Sequence, residues 1–216
     1  MGSHRRPGAV TAGARAAGPR EPQQERSRLT RERLLDATID ALARDGWSAA
    51  TVAAVAERAG VSRGAAQHHF PTREALITAA LEQIFEDMTE SASAAKAELP
   101  EGNARVSAAI DRAVELYTGT VFKAALQVWA AAASDPALRR LILPMEDKFA
   151  HAAHRMTTSM LDPDGTDPRV HRIAQVTLDL ARGLGLADTL SDDSARRAQV
   201  VAAWTEMVSA ALQTPN

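Results

Sequence analysis

The sequence predicts an all-α protein: a three-helix N-terminal unit of the helix-turn-helix type, followed by a larger helical body. Three observations carry this. The chain is Ala-rich with only 4% aromatic residues, which suits helix more than strand. Apolar residues recur three and four apart along nearly its whole length. Near the N-terminus, two short apolar-periodic runs flank Gly60, each preceded by a capping residue, Thr51 and Ser62.

Composition narrows the functional classes. At 216 residues the chain can bury a substantial core. It has no Cys, so disulfides, thiolate chemistry and Cys-based zinc fingers are excluded. No uninterrupted apolar run approaches the roughly 18 residues that cross a bilayer, and the Arg/Pro/Gly-rich start carries no signal-peptide core. These features fit a cytoplasmic protein with no membrane partner. The net charge of −2 hides an asymmetry: residues 1–70 hold 11 Arg against 7 Asp or Glu, and residues 71–216 hold 14 Arg or Lys against 20 Asp or Glu. A basic head on an acidic body would meet phosphates head first.

Residues 1–26 lack periodicity and are expected to be a disordered arm, with Arg26 and Arg28 nearest the fold. The first helix is expected to start at a Thr30 cap, with a staple between Leu29 and Leu34, and to end at Gly46. Trp47 should pack beneath the second and third helices. Thr51 and Ser62 start those two helices, and Phe70-Pro71-Thr72 leads into a long fourth helix reaching about Lys96. This places a helix-turn-helix domain at 27–76 and a helical body at 77–216. In the body, Leu99-Pro100-Glu101-Gly102 and Gly119 mark joints, and Asp135-Pro136 and Asp167-Pro168 read as helix starts. Pro144 predicts a kink or break. Ser191 reads as the cap of the last helix.

Two short helices joined by a tight Gly-containing turn form a unit whose second helix fits a DNA major groove. Arg63, in its first turn, can pair with guanine O6 and N7. Gly64 allows close backbone approach, Ala65 can touch a thymine methyl, Gln67 can donate to a phosphate or read adenine, and His68 reads as a backbone contact. Thr51 and Arg73 stand at helix starts, where side chain and amide together can hold a phosphate. A single head reads few base pairs, which favours a homodimer on a palindrome. Its expected seam uses the two C-terminal helices through Val170, Ile173, Thr177, Leu180 and Leu184 and through Val201, Trp204, Val208 and Ala211.

The stretch from Thr51-Val52-Ala53-Ala54-Val55-Ala56 through Ala59-Gly60-Val61-Ser62, Gly64, His69-Phe70 and Arg73-Glu74-Ala75-Leu76 closely resembles the DNA-binding domain of the TetR family of bacterial transcriptional repressors. The resemblance implies an all-helical homodimer whose C-terminal domain is both a ligand-binding and a dimerisation domain. It also implies a partly structural His69, set near the DNA backbone, and a Phe70 that plugs the head. One departure stands out. Gln67 occupies the place where the family usually carries a phosphate-contacting Tyr.

The expected partners are therefore a double-stranded DNA operator, a second copy of the chain, and a small hydrophobic or aromatic effector. The effector pocket is placed around Met88, Tyr117, Phe122, Trp129 and His151. Its ligand would shift the long fourth helix and so the spacing of the two heads. No cofactor is expected. His151, His154 and His171 have permissive metal spacing, but no Cys or carboxylate completes a site. Ser191 is accounted for by capping, and the chain carries no nucleophile-elbow, phosphate-loop or metal-hydrolase motif, so it does not read as an enzyme. The competing readings are a ligand-independent repressor and a partner-regulated helical binding protein.

Overall fold

A computed structural model describes residues 20–95 and 100–214. Among them the backbone forms α1 (Arg20–Asp45), a 3-10 turn (Trp47–Ala49), α2 (Val52–Arg58), α3 (Arg63–His69), α4 (Arg73–Ala95), α5 (Asn103–Leu116), α6 (Gly119–Ser134), α7 (Pro136–Leu161), α8 (Val170–Ala187) and α9 (Ser194–Gln213). No described helix is long and apolar enough to cross a membrane.

Helix α1 starts well upstream of the predicted Thr30 cap, so residues 20–26 are helical rather than part of a disordered arm. The rest of that arm, residues 1–19, lies outside the described residues. Charge pairing extends the helix: Arg28 bonds Glu25 at 2.6 Å one turn back and Glu32 one turn on. Thr30 sits inside the helix, its hydroxyl donating to the Arg26 carbonyl at 2.8 Å. Leu29 is exposed on the helix surface, and the expected staple does not form.

The helix-turn-helix itself is built as its local sequence dictates. Thr51 Oγ1 accepts from Ala54 N–H at 3.2 Å, Ser62 Oγ from Ala65 N–H at 3.2 Å, and Thr72 Oγ1 from Ala75 N–H at 3.1 Å, each satisfying a donor that a helix start leaves free. Gly60 takes φ +64°, the left-handed value that closes α2. Beneath it Leu34, Leu35, Leu42, Val55, Leu76 and Ile77 are almost wholly buried, each worth about 1.5–3 kcal/mol of burial. The same apolar cluster continues through Ala124 and Val128 of α6 and Leu138 and Ile142 of α7. Head and body thus share one core across the expected 76/77 boundary, with α1 lying along α6.

In the body, Asp135 caps α7 by accepting from Ala137 and Leu138 N–H at 2.9 and 3.1 Å, with Pro136 in the first helical position. The chain stays helical through Pro144 without the break that proline suggested. Helix α8 begins at Val170, later than Asp167-Pro168 implied. Asp167 is engaged in the preceding turn, accepting from Arg169 N–H at 2.9 Å and pairing with its guanidinium at 2.6 Å. Helix α9 begins after Asp193 rather than Ser191, with Asp192 accepting from Ser194 N–H at 3.0 Å. Gly185 of α8 lies so close to the end of α5 that a Cβ there would stand 1.7 Å from the Tyr117 carbonyl oxygen.

Candidate functional site

Helix α3 is seven residues long, about 10 Å at 1.5 Å per residue, and it is held from beneath. Ala66 and Phe70 are buried in the head. Arg63, Gly64, Gln67 and His68 are exposed, and their i, i+1, i+4, i+5 spacing puts them on one outward face. Ala65 and His69 are half-buried at its margins. Burial, then the neighbouring His68 and Arg31, hold the His69 imidazole below the usual histidine range. Helix α3 itself carries no carboxylate.

Thr51 is exposed, with its hydroxyl already used as the α2 cap. Arg73 is turned inward. Its guanidinium lies 4.0 Å over the Trp47 ring and donates to the Trp47 carbonyl, and burial lowers its proton affinity. Trp47 therefore braces the start of α4, and Arg73 is not free to hold a phosphate unless that stack opens.

The body gathers most of a sparse aromatic inventory in one place. Phe85 of α4 stacks on Phe149 of α7 at 5.1 Å. From Phe149 the edge-to-face contacts run to Tyr117 at 5.9 Å, from there to Phe122 at 5.5 Å, and on to Trp129 at 5.8 Å. Five of the eight Phe, Trp and Tyr residues thus form a single chain of rings within one buried apolar cluster. A small cavity of about 30 Å³ lies among Phe85, Phe122, Trp129, Phe149, Ile142 and Glu146. A groove of about 480 Å³ lies beyond the Phe85–Phe149 pair, rimmed by Glu82, Glu86 and Lys148. On the other side, a recess of about 200 Å³ opens past Trp129, Arg139 and Glu146.

Among the described residues, Glu146 is the single ionisable group lining the small cavity. Burial raises its carboxyl above the ordinary glutamate range; Arg182 and a hydrogen bond from the Trp129 indole pull it back, while Asp147 adds to the rise. Arg182 itself is engaged, lying 5.0 Å over the Tyr117 ring and donating to the Tyr117 hydroxyl at 3.1 Å and to Asp179 at 3.1 Å.

Of the residues expected in the pocket, Phe122 and Trp129 line the cavity and Tyr117 backs it. His151 does not belong: it is exposed, its Nδ1 2.6 Å from the Asp147 carbonyl. The Met88 side chain lies outside the described residues. His154 stacks on His171 at 5.5 Å. Phe85, Glu146 and Phe149 also line the cavity, outside the expected set. For Glu146 and Phe149 the sequence signal is the row Ile142, Met145, Glu146, Phe149, a carboxylate set in an apolar helical stripe.

The expected self-pairing residues also need correction. Val170, Thr177, Leu184 and Val208 are 1–3% exposed in the chain itself, and Trp204 spends its indole N–H on Thr177 at 3.0 Å. Ile173, Leu180 and Val201 pack partly against the same interior clusters. Ala211 alone of that set is exposed. Amphipathic spacing marked the face that each helix buries in its own monomer. The apolar groups left outside are different ones: Val176 (50% exposed) and Leu186 (57%) on α8, and Met207 (64%) on α9.

Residues 34–80 match the family model for bacterial regulatory proteins of the tetR family. The chain is 37% identical over 120 residues to the HTH-type transcriptional regulator CymR of Pseudomonas putida, a match covering 56% of this chain and 59% of CymR. It thus spans little more than half the length of that relative. Among solved structures, a transcriptional regulator from Pseudomonas aeruginosa PAO1 superposes with TM-score 0.63 and 25% identity over 87% of this chain and 92% of its own. A regulator from Saccharomonospora viridis, determined in complex with choline, shares the fold with TM-score 0.61 at 20% identity, covering 82% and 92% of the two chains. Residues 34–80 thus carry a DNA-binding head of the tetR type, and the helical architecture around it is similar to that of solved transcriptional regulators.

Proposed function

We propose that the protein is a sequence-specific DNA-binding transcriptional regulator, acting as a homodimeric repressor that leaves a palindromic operator when a small hydrophobic or aromatic effector binds the body. This is a regulatory role, not an enzymatic one. The observation that carries the DNA reading is the exposed set Arg63, Gly64, Gln67 and His68 on a short helix whose opposite side is locked into the head. Arg63 is the base-reading candidate, with a bidentate guanine contact worth about 1–3 kcal/mol of discrimination. Gln67 offers an amide to adenine or to a phosphate.

The self-pairing face lies on the outward sides of α8 and α9. Val176, Gly183 and Leu186 fall on one exposed stripe of α8, and Ala203, Met207 and Ala210 on one exposed stripe of α9. Small residues beside exposed apolar ones let helices approach closely, as a four-helix bundle between two copies requires.

The effector site is the aromatic cavity with its adjoining groove and recess. A cavity of about 30 Å³ holds little more than a water, so an effector must part the rings or occupy the adjoining spaces as well. That small volume also favours a second reading, a ligand-independent regulator with the same head. Both are tested by selecting duplexes from a random pool with the full-length protein, then measuring affinity for the selected site against salt and candidate effectors. The expected result is an enriched palindrome bound with a steep salt dependence, released by a compound that binds the body. Absence of any duplex preference at low salt overturns the DNA reading; operator affinity indifferent to every body-binding compound selects the ligand-independent one.

A further inference from the structure

We propose that the pocket between α4, α6 and α7 is built for an organic cation, an ammonium group with apolar substituents held against the indole of Trp129 and the carboxylate of Glu146. This rests on the reading of that pocket as the effector site and names the chemical class the site selects. Glu146 faces two spaces at once, the small cavity and the 200 Å³ recess. A ligand entering through the recess reaches both the carboxylate and Trp129 without separating the Phe85–Phe149 stack.

The chemistry favours positive charge. A carboxylate among aromatic rings is poorly solvated, and a cation brought beside it restores the lost stabilisation. Ring faces attract cations through their quadrupole, most strongly where water is excluded. Apolar substituents on the nitrogen would fill the space lined by Ile142 and Leu143, which a hydrated metal ion or bare ammonium would leave unfilled. The outer groove adds Glu82 and Glu86 against Lys148, so that approach is acidic on balance.

An anionic ligand would meet Glu146 directly. Arg182 acts on Glu146 through space and offsets part of its burial, but its guanidinium, 6.0 Å from the Trp129 ring, is bonded to the Tyr117 hydroxyl and Asp179 and so is not placed to receive an anionic ligand. Arg139, at the rim of the recess, is exposed to solvent, where its charge is screened.

The test is calorimetric titration of the full-length protein with compounds that differ in charge: choline against its neutral isostere 3,3-dimethylbutan-1-ol, and the aromatic cation benzyltrimethylammonium against the aromatic anion 4-tert-butylbenzoate. The wild-type protein should bind the cations at least about tenfold more tightly than their partners. In Glu146→Gln that preference should disappear while affinity for the neutral alcohol is kept or improved. A neutral or anionic compound binding as well as the cations overturns the proposal, and so does an unchanged preference in Glu146→Gln. In either case the effector-pocket reading survives if the tighter compound releases operator DNA. Failure of every compound to bind at millimolar concentration overturns the cation assignment, and the pocket reading then falls only if an unbiased compound screen also finds no operator release. The charge comparison is made on the wild-type protein, so the test does not depend on the folding of the variant.

Discussion

The side-chain carbonyl of Gln127, on α6, accepts from the backbone N–H of Trp47 in the head at 3.4 Å. Two residues further along the same helix, Trp129 lines the aromatic cavity, and Trp47 in turn carries the Arg73 guanidinium at the start of α4. One helix therefore touches both the aromatic cavity and the turn that leads into α4. Replacing Gln127 with Ala should lower stability by about 1 kcal/mol, the net worth of one hydrogen bond, read as a lower Tm. It should also shrink the difference in operator affinity between effector-free and effector-bound protein, measured by fluorescence anisotropy.

Arg63→Ala should remove about 1–3 kcal/mol of discrimination at one base pair of each half-site while leaving Tm unchanged, because the side chain is exposed and away from the head's core. Competition between selected and single-mismatch duplexes checks this. An equal loss on all duplexes would make Arg63 a phosphate contact instead.

Gly185 and Gly183 give a matched contrast on α8. An added Cβ at Gly185 would meet the Tyr117 carbonyl oxygen at 1.7 Å and Phe122 Cε1 at 2.7 Å, whereas at Gly183 it meets nothing within 4 Å. Gly185→Ala should destabilise by about 1–3 kcal/mol or more through overpacking. Denaturant unfolding of the variant against wild type measures it.

On the outer face of α8 and α9, the double variant Val176→Asp, Met207→Glu places charge where the proposed seam needs apolar contact. Both positions are half or more exposed within one chain, so the monomer's own packing should be untouched. Sedimentation should show a shift from dimer to monomer, and operator affinity should fall with it. A dimer that persists would locate the seam elsewhere.

Burial holds the Glu146 carboxyl above its ordinary range, so the folded state binds that proton more tightly than the unfolded chain does. Its effect on stability is neutral below the unfolded pKa and turns unfavourable as pH rises through the folded one. Glu146→Gln should therefore have a higher Tm than wild type at neutral pH. The difference should narrow as the solution is acidified through the glutamate range, as read by thermal melts across pH.

What the sequence made legible was local. Thr51, Ser62, Thr72 and Asp135 act as caps because the donors they satisfy lie two or three residues away, and their spacing can be read directly. The start of α1 escaped because Arg28, Glu25 and Glu32 extend the helix cooperatively past a plausible cap. The α8 and α9 faces were legible as apolar but not as to what covers them. Periodicity marks a buried side, and only the packed chain shows that Val170, Thr177 and Leu184 are consumed internally. Phe85 and Phe149 escaped because they meet Trp129 from two other helices far apart in the chain. His151, one turn beyond Asp147, has its ring in solvent.

The apolar cluster joining Leu35 and Leu42 of α1 to Val128 and Leu138 of the body bears on how such regulators can be recombined. A head cut from this chain at α4 would carry a raw flank where α6 had lain, and a foreign body would have to supply matching side chains to close it. Chimeras that exchange specificity should therefore replace the outward residues of α3 alone, or move α1 to α4 together with the α6 surface against which α1 is seated.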